Sequence, residues 1–220
     1  MERKFDLVVL DVAGTTVLDN DIVAKCLRAA LADFGHQKTI DEINPWMGIT
    51  KPFAISQLAP ELSAEQIEAC HENFRQKMIE FYRDSEEFGP IPGAEEFFAE
   101  CRSAGVKIAL DTGFDRTIMD TILDRLEWHD KVDATATSDE AKGRPHPDLI
   151  DLLMQRVGVE DSSRVVKVGD TPNDIAQGRA ASCGMVIGVL HGTHTEEQLR
   201  LAGPDALANG MPALRDLILD

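Results

Sequence analysis

Three aspartates in this chain, Asp11, Asp170 and Asp174, stand where carboxylates could do chemistry together. Asp11 closes the apolar, Val-rich run from Phe5 to Leu10. Asp170 follows the run from Val165 to Gly169, and Asp174 comes one helical turn later. Ligands of open parallel sheets bind beyond the carboxyl ends of the strands. Carboxylates gathered there repel one another, and a hard divalent cation relieves the repulsion. Mg²⁺ suits such a place, because it takes carboxylate oxygens together with waters and a substrate phosphate. One aspartate after a strand is usually a turn or cap residue. Three at equivalent positions predict a metal site.

Groups that would hold an anion fall at similar places. The loop after Asp11 reads Val12-Ala13-Gly14-Thr15-Thr16, with Gly14 allowing close backbone approach and successive N–H groups available to an anion. Thr112 and Gly113 follow a second apolar run and offer a hydroxyl and an amide. Arg144 sits between Gly143 and Pro145, a cation on a stiff turn before a helix. Its guanidinium fork matches phosphate oxygens.

The elements that must position these residues come next. Phe5 to Leu10, Val106 to Leu110, Val165 to Val168 and Met185 to Leu190 read as buried strands. Helices are expected from Ala94 to about Ala104, from Asp115 through Leu126, near Asp148 to Val157, and from Pro172 with Thr171 as cap. Strands alternating with such helices imply a parallel sheet built of βαβ units. Between the first and second strands the pattern is purely helical. Val23, Leu27, Ala30, Leu31 and Phe34 form one stripe, with Asp21 as a possible cap and Gly35 as its end. Asn44 to Gly48 is a turn, and Lys51 to Leu58 a short helix. The capping box Ser63-Ala-Glu-Gln66 starts a stripe of Ile67, Cys70, Phe74, Met78 and Phe81. Gly89-Pro-Ile-Pro-Gly93 is the best linker. The expected fold is therefore α/β, a Rossmann-like parallel-sheet core with helices on both faces, formed by residues 1–17 and 89–220. A helical cap domain, residues 18–88, is inserted into it.

Composition bounds the partners. The chain has 220 residues, 22 basic and 39 acidic, for a net charge of −17. Such a balance argues against nucleic acid, which needs a basic face, and against an anionic membrane surface. The first ten residues do not read as a signal peptide, and no run of about 18 apolar residues occurs. Cys26, Cys70, Cys101 and Cys183 are scattered without a C-x-x-C pair. They are expected to be reduced thiols in a cytoplasmic protein, monomer or homodimer.

In order, Asp11-x-Ala13-Gly14-Thr15-Thr16, Thr112, Arg144 and Gly169-Asp170-Thr171-x-x-Asp174 resemble the four motifs of the haloacid dehalogenase superfamily. The resemblance implies that Asp11 is the nucleophile that takes a phosphoryl group. Mg²⁺ would sit on Asp11, the Ala13 carbonyl and Asp170, with Asp174 beside it or ligating. Thr112 and Arg144 would hold the transferring oxygens. In the phosphatases of this superfamily a second aspartate usually occupies the place of Ala13 and protonates the leaving alkoxide. Alanine has no proton to give. Asp-x-Ala-Gly-Thr-Thr is similar to the phosphonoacetaldehyde hydrolase branch, in which a carbon–phosphorus bond is cleaved and a cap lysine forms an imine that serves as electron sink. Met47-Gly48-Ile49-Thr50-Lys51 resembles that branch's lysine segment, which implies Lys51 as the imine-forming residue and Gly48 as part of the substrate site. The substrate implied is a small anionic organophosphorus compound. Two positions depart from the branch: Asp21 stands where it carries cysteine, and Ala54 where it carries histidine. A phosphomonoesterase is the alternative. A dehalogenase is disfavoured by the retained Asp170 and Asp174, and a phospho-accepting receiver has no use for a helical cap. His146, His191 and His194 are expected to be structural or solvated.

Overall fold

The computed structural model describes residues 4–220. Six parallel strands form one sheet: β1 (Leu7–Asp11), β2 (Lys107–Asp111), β3 (Ala134–Ala136), β4 (Val165–Gly169), β5 (Met185–Val189) and β6 (Ala206–Ala208), in the order β3-β2-β1-β4-β5-β6. Every residue of β1 is buried, because both faces of the sheet are covered. Side-chain alternation divides β1 between two apolar layers. Val8 and Leu10 pack with Phe97, Phe98 and Ile118 on one face, while Leu7 and Val9 pack with Leu149, Leu153 and Ile175 on the other. These partners come from α5 (Ala94–Ser103), α6 (Arg116–Leu126), α7 (Asp148–Val157) and α8 (Pro172–Ala180). The order of connection reverses between β1 and β4, so the crevice at their carboxyl ends is where a ligand belongs.

After β1 the chain leaves the sheet and makes α1 (Ile22–Asp33), α2 (Ile40–Ile43), a 3₁₀ turn (Asn44–Trp46), α3 (Lys51–Leu58) and α4 (Ala64–Asp84). Exit and return run side by side. The Leu18 amide donates to the Gly89 carbonyl at 3.0 Å, and the Ile91 amide to the Thr16 carbonyl at 2.9 Å. The Ser63–Gln66 capping box forms as expected.

Some local expectations need correction. Asp21 precedes α1 but makes no side-chain cap, since its backbone is left-handed at φ 60° rather than extended. Asp19 does the work instead, its Oδ1 accepting from the Val23 amide at 3.1 Å. The buried stripe of α4 runs through Cys70, Phe74, Met78 and Tyr82, one residue past Phe81. The second strand ends at Asp111, so its last residue is a carboxylate and Thr112 follows it. Sequence reading did not find β3, β6, α2, α9 (Glu196–Ala202) or α10 (Met211–Leu219). Each strand missed has three residues, too short for an alternation to register. All four cysteines are free and buried. Among the described residues no helix is long and apolar enough to cross a membrane.

Candidate active site

The three aspartates meet. Carboxylate oxygens of Asp11, Asp170 and Asp174 lie within 4.8 Å of one another, and all three residues are buried. The sheet places Asp11 and Asp170 at the ends of adjacent strands, Leu10 pairing with Val168. Helix α8 places Asp174. The Thr171 hydroxyl accepts from the Asp174 amide, and Asp174 Oδ2 accepts from the Thr171 amide at 3.2 Å, a capping box that fixes the spacing of these two residues. Glycines make room for Asp170: a Cβ at Gly14 would stand 2.6 Å from its Oδ2, and one at Gly192 2.2 Å from its Cβ. Burial drives the Asp11 carboxyl up to about 6, against the opposing pull of Arg144, with Asp174 adding to the rise. Burial, then Asp11 and Asp174, push Asp170 well above the usual range. Three enclosed hard-oxygen ligands under mutual repulsion fit a small divalent cation.

Two buried cations stand behind the aspartates. Arg144 Nη2 donates to Asp11 Oδ1 at 2.6 Å and to Asp111 Oδ1 at 2.9 Å, and its Nη1 lies 3.1 Å from Asp174 Oδ1. Lys167, fully enclosed on β4, reaches Asp111 Oδ1 at 2.5 Å and Asp174 Oδ1 at 3.0 Å. A buried ion pair survives only with close partners of this kind. Asp111, opposite Asp11 in the sheet, thus anchors both cations, and Arg144 and Lys167 hold its carboxyl below the ordinary range despite burial.

Lys51, the first residue of α3, enters the same pocket from the helical segment. The pocket, about 370 Å³ including its mouth, is lined by Asp11, Ala13, Asp19, Gly48, Lys51, Thr112, Gly113, Arg144 and Asp170, with Val23, Met47 and Phe114 as apolar walls. Lys51 is 3% exposed. Its Nζ donates to the Ile49 carbonyl at 3.3 Å and stands 5.8 Å from the centre of the Phe114 ring. Burial lowers its ammonium from 10.5 to about 8; Arg144 pushes the same way, while Asp19 and Asp11 oppose. The segment carrying it is seated on the core. Asn173 Nδ2 donates to the Met47 carbonyl at 3.0 Å. Added Cβ atoms at Gly48, Gly113 and Gly143 would stand 2.6 Å from Thr171 Oγ1, 3.0 Å from the Ile49 carbonyl and 2.8 Å from Thr50 Cγ2. The helical segment is closed over the pocket.

Of the remaining expected site residues, Thr112 lines the pocket and its hydroxyl accepts from the Phe114 amide at 3.1 Å. Gly14 and Thr15 stand apart from the anion cradle expected of them. Their amides donate into a local turn, to the Val17 and Val12 carbonyls, and the Thr15 hydroxyl donates to Asp170 Oδ1 at 3.4 Å. They shape the place for Asp170. His146 is exposed, His194 is buried, and His191 Nε2 contacts the Thr15 carbonyl at 3.1 Å. Sequence reading missed Asp19, Asp111 and Lys167. Asp111 was visible as a third strand-end carboxylate; a lysine inside an apolar run, as at 167, is the other signal that could have been used.

The haloacid dehalogenase-like hydrolase family model matches residues 8–188, and the chain belongs to this family of hydrolases. Its similar curated relatives include a phosphonoacetaldehyde hydrolase of Bacteroides fragilis. That protein is 29% identical over 236 residues, covering 99% of this chain and 89% of the relative. One of Bacillus cereus (strain AH187) is 30% identical over 210 residues, covering 86% and 77%. Among solved structures, a phosphonoacetaldehyde hydrolase-like protein from Oleispira antarctica superposes with a TM-score of 0.88 at 20% identity, covering 99% of this chain and 92% of that one. A protein described as a predicted phosphoglycolate phosphatase from Haemophilus somnus does so at 0.81 and 19%, covering 99% of each. At these identities the structural likeness speaks for the fold.

Proposed function

We propose that the chain hydrolyses the carbon–phosphorus bond of a small phosphonate aldehyde, with Asp11 as phosphoryl acceptor and Lys51 as imine-forming amine. The observation that carries this reading is the enclosure of Lys51 in the pocket that holds Asp11. A lysine loses its proton near neutrality only when desolvated or placed beside another cation, and Lys51 has both conditions. The curated relatives named phosphonoacetaldehyde hydrolase support it over nearly the whole chain.

The chemistry follows from the groups. Neutral Lys51 Nζ adds to the aldehyde carbon, and the carbonyl oxygen leaves as water, giving an iminium. An Asp11 carboxylate oxygen attacks phosphorus in line. As the carbon–phosphorus bond breaks, its electron pair moves toward the iminium nitrogen and leaves a neutral enamine. No acid is needed at the leaving group, which is why alanine suffices at position 13. Water then hydrolyses the aspartyl phosphate. Protonation at carbon and hydrolysis of the imine release acetaldehyde and free Lys51. Arg144, Thr112 and Gly113 orient the phosphoryl oxygens, and Arg144 offsets their charge. Mg²⁺ would be held by Asp11, the Ala13 carbonyl, Asp170 and Asp174, and would supply further neutralisation of phosphoryl charge. Residues 18–88 act as the cap domain that excludes water, over a core of 1–17 and 89–220. Four free, buried thiols suit the cytoplasm, and we read the protein as a monomer or homodimer there.

Incubation with phosphonoacetaldehyde followed by borohydride reduction tests the reading. A reduced adduct mapped to Lys51, with acetaldehyde and phosphate released and both lost in Asp11→Asn turnover, is expected. Phosphate release from ordinary monoesters without any lysine adduct would favour the second reading, a phosphomonoesterase. Asp21 favours that alternative: it stands where the phosphonatase branch carries cysteine and, exposed and outside the pocket, brings no group to the imine. Residue 54 is a buried alanine, unable to move a proton.

A further inference from the structure

Forming an imine expels an oxygen, and that oxygen must be protonated to leave as water. Hydrolysing the imine later requires a base for the attacking water. The ionisable groups on the pocket wall are Asp11, Asp19, Lys51, Arg144 and Asp170. Four of them are committed. Asp11 and Arg144 are paired at 2.6 Å. Asp170 accepts from the Thr193 amide at 2.7 Å and faces the other aspartates, and Lys51 is the amine itself. Asp19 is left over.

Its geometry fits a proton carrier. One carboxylate oxygen, Oδ1, takes the Val23 amide at 3.1 Å, and the Asp19 carbonyl takes the Ile22 amide at 2.7 Å, so the side chain is fastened to the first turn of α1. Among the described residues Oδ2 has no hydrogen-bond partner, and no carboxylate oxygen lies within 4.0 Å of Lys51 Nζ. Asp19 and Lys51 therefore share a pocket and feel each other's charge without being in contact. Asp19 also walls a second cavity with Asn20, Asp21, His191 and Thr193. Asp19 is half-buried, so water can reach the residue from that side. Burial raises Asp19 above the usual carboxylate range, which helps it keep a proton.

Resting on the imine reading above, we propose that Asp19 is the catalytic acid–base group of the Lys51 imine, donating a proton as the carbonyl oxygen leaves and accepting one as water returns. In the forward step Lys51 Nζ bonds to carbon and gives up one proton to the departing oxygen. Asp19 Oδ2 supplies the second, the carbon–oxygen bond breaks, and iminium, water and an Asp19 carboxylate result. Hydrolysis retraces these transfers.

Acetaldehyde with borohydride reads this step in the whole protein without phosphoryl transfer, as the rate of ethylation of Lys51. In Asp19→Asn, whose side-chain oxygen still accepts from Val23, the rate is expected to fall about 100-fold and to be partly restored by added formate. Thermal melts check that the variant folds. Should it not, Asp19→Ser, which keeps a capping oxygen without an acid, is expected to show the same loss. Ethylation within threefold of wild type in a folded variant would overturn the proposal for Asp19 alone. Absence of a Lys51 adduct in the wild type itself would overturn the imine reading and this one with it.

Discussion

A lysine buried to 3% exposure should be a burden on the fold, and the burden can be measured. Its ammonium titrates at 10.5 when free and at about 8 in the folded protein, chiefly because of burial. Below both values the unfolded and folded chains are equally protonated, and the folded state carries the full penalty. Between about 8 and 10.5 the unfolded chain binds more protons, so stability rises with pH across that window. At pH 7 the difference amounts to about 3 kcal/mol, and at pH 9.5 less than half of it remains, at about 1.36 kcal/mol per pH unit. Lys51→Met keeps an unbranched side chain only one atom shorter and removes the charge. It is expected to raise unfolding free energy by up to about 3 kcal/mol at pH 7, with the gain roughly halved at pH 9.5. Urea unfolding of both proteins at the two pH values gives the answer. The same shift raises the neutral amine at pH 7 from roughly 0.03% to roughly 9%, about 300-fold more nucleophile, which is what such instability is kept for. A variant less stable than wild type, or a difference that does not change with pH, would refute the claim that Lys51 is desolvated.

Two further outcomes follow from the packing. Asp111→Asn withdraws the shared anion from Arg144 and Lys167 and is expected to cost about 3–5 kcal/mol in urea unfolding, as for other broken buried pairs; a loss below about 1 kcal/mol would show that Asp11 and Asp174 suffice. Gly113→Ala sets a Cβ 3.0 Å from the Ile49 carbonyl and should prop the helical segment off the core. Amide exchange at residues 47–51 is expected to speed up and KM to rise while the melting temperature stays within a few degrees; unchanged exchange would mean the seam relaxes without opening.

How much of this was legible beforehand depends on how local each signal is. Asp170, Thr171 and Asp174 could be read directly, because a strand end and a capping box are set by neighbours in sequence. Asp11 and the helical insertion were readable for the same reason, as was the parallel sheet from its alternating elements. The chain alone could also name Lys51, by resemblance, but only packing encloses it. Its desolvation comes in large part from walls far from it in sequence, among them Phe114, Thr112 and Arg144. Asp111 and Lys167, 56 residues apart, become partners only across the sheet, where β1 separates their strands. Nothing in the sequence marked Asp19 out from Asp21, and with the left-handed turn at Asn20 and Asp21 the chain turns Asp19, not Asp21, into the pocket. Sequence determined the kinds of group and the elements that carry them. Tertiary structure decided which charges lose their water and which oxygens stay unpaired, because burial and pairing depend on segments that meet only when the chain is folded.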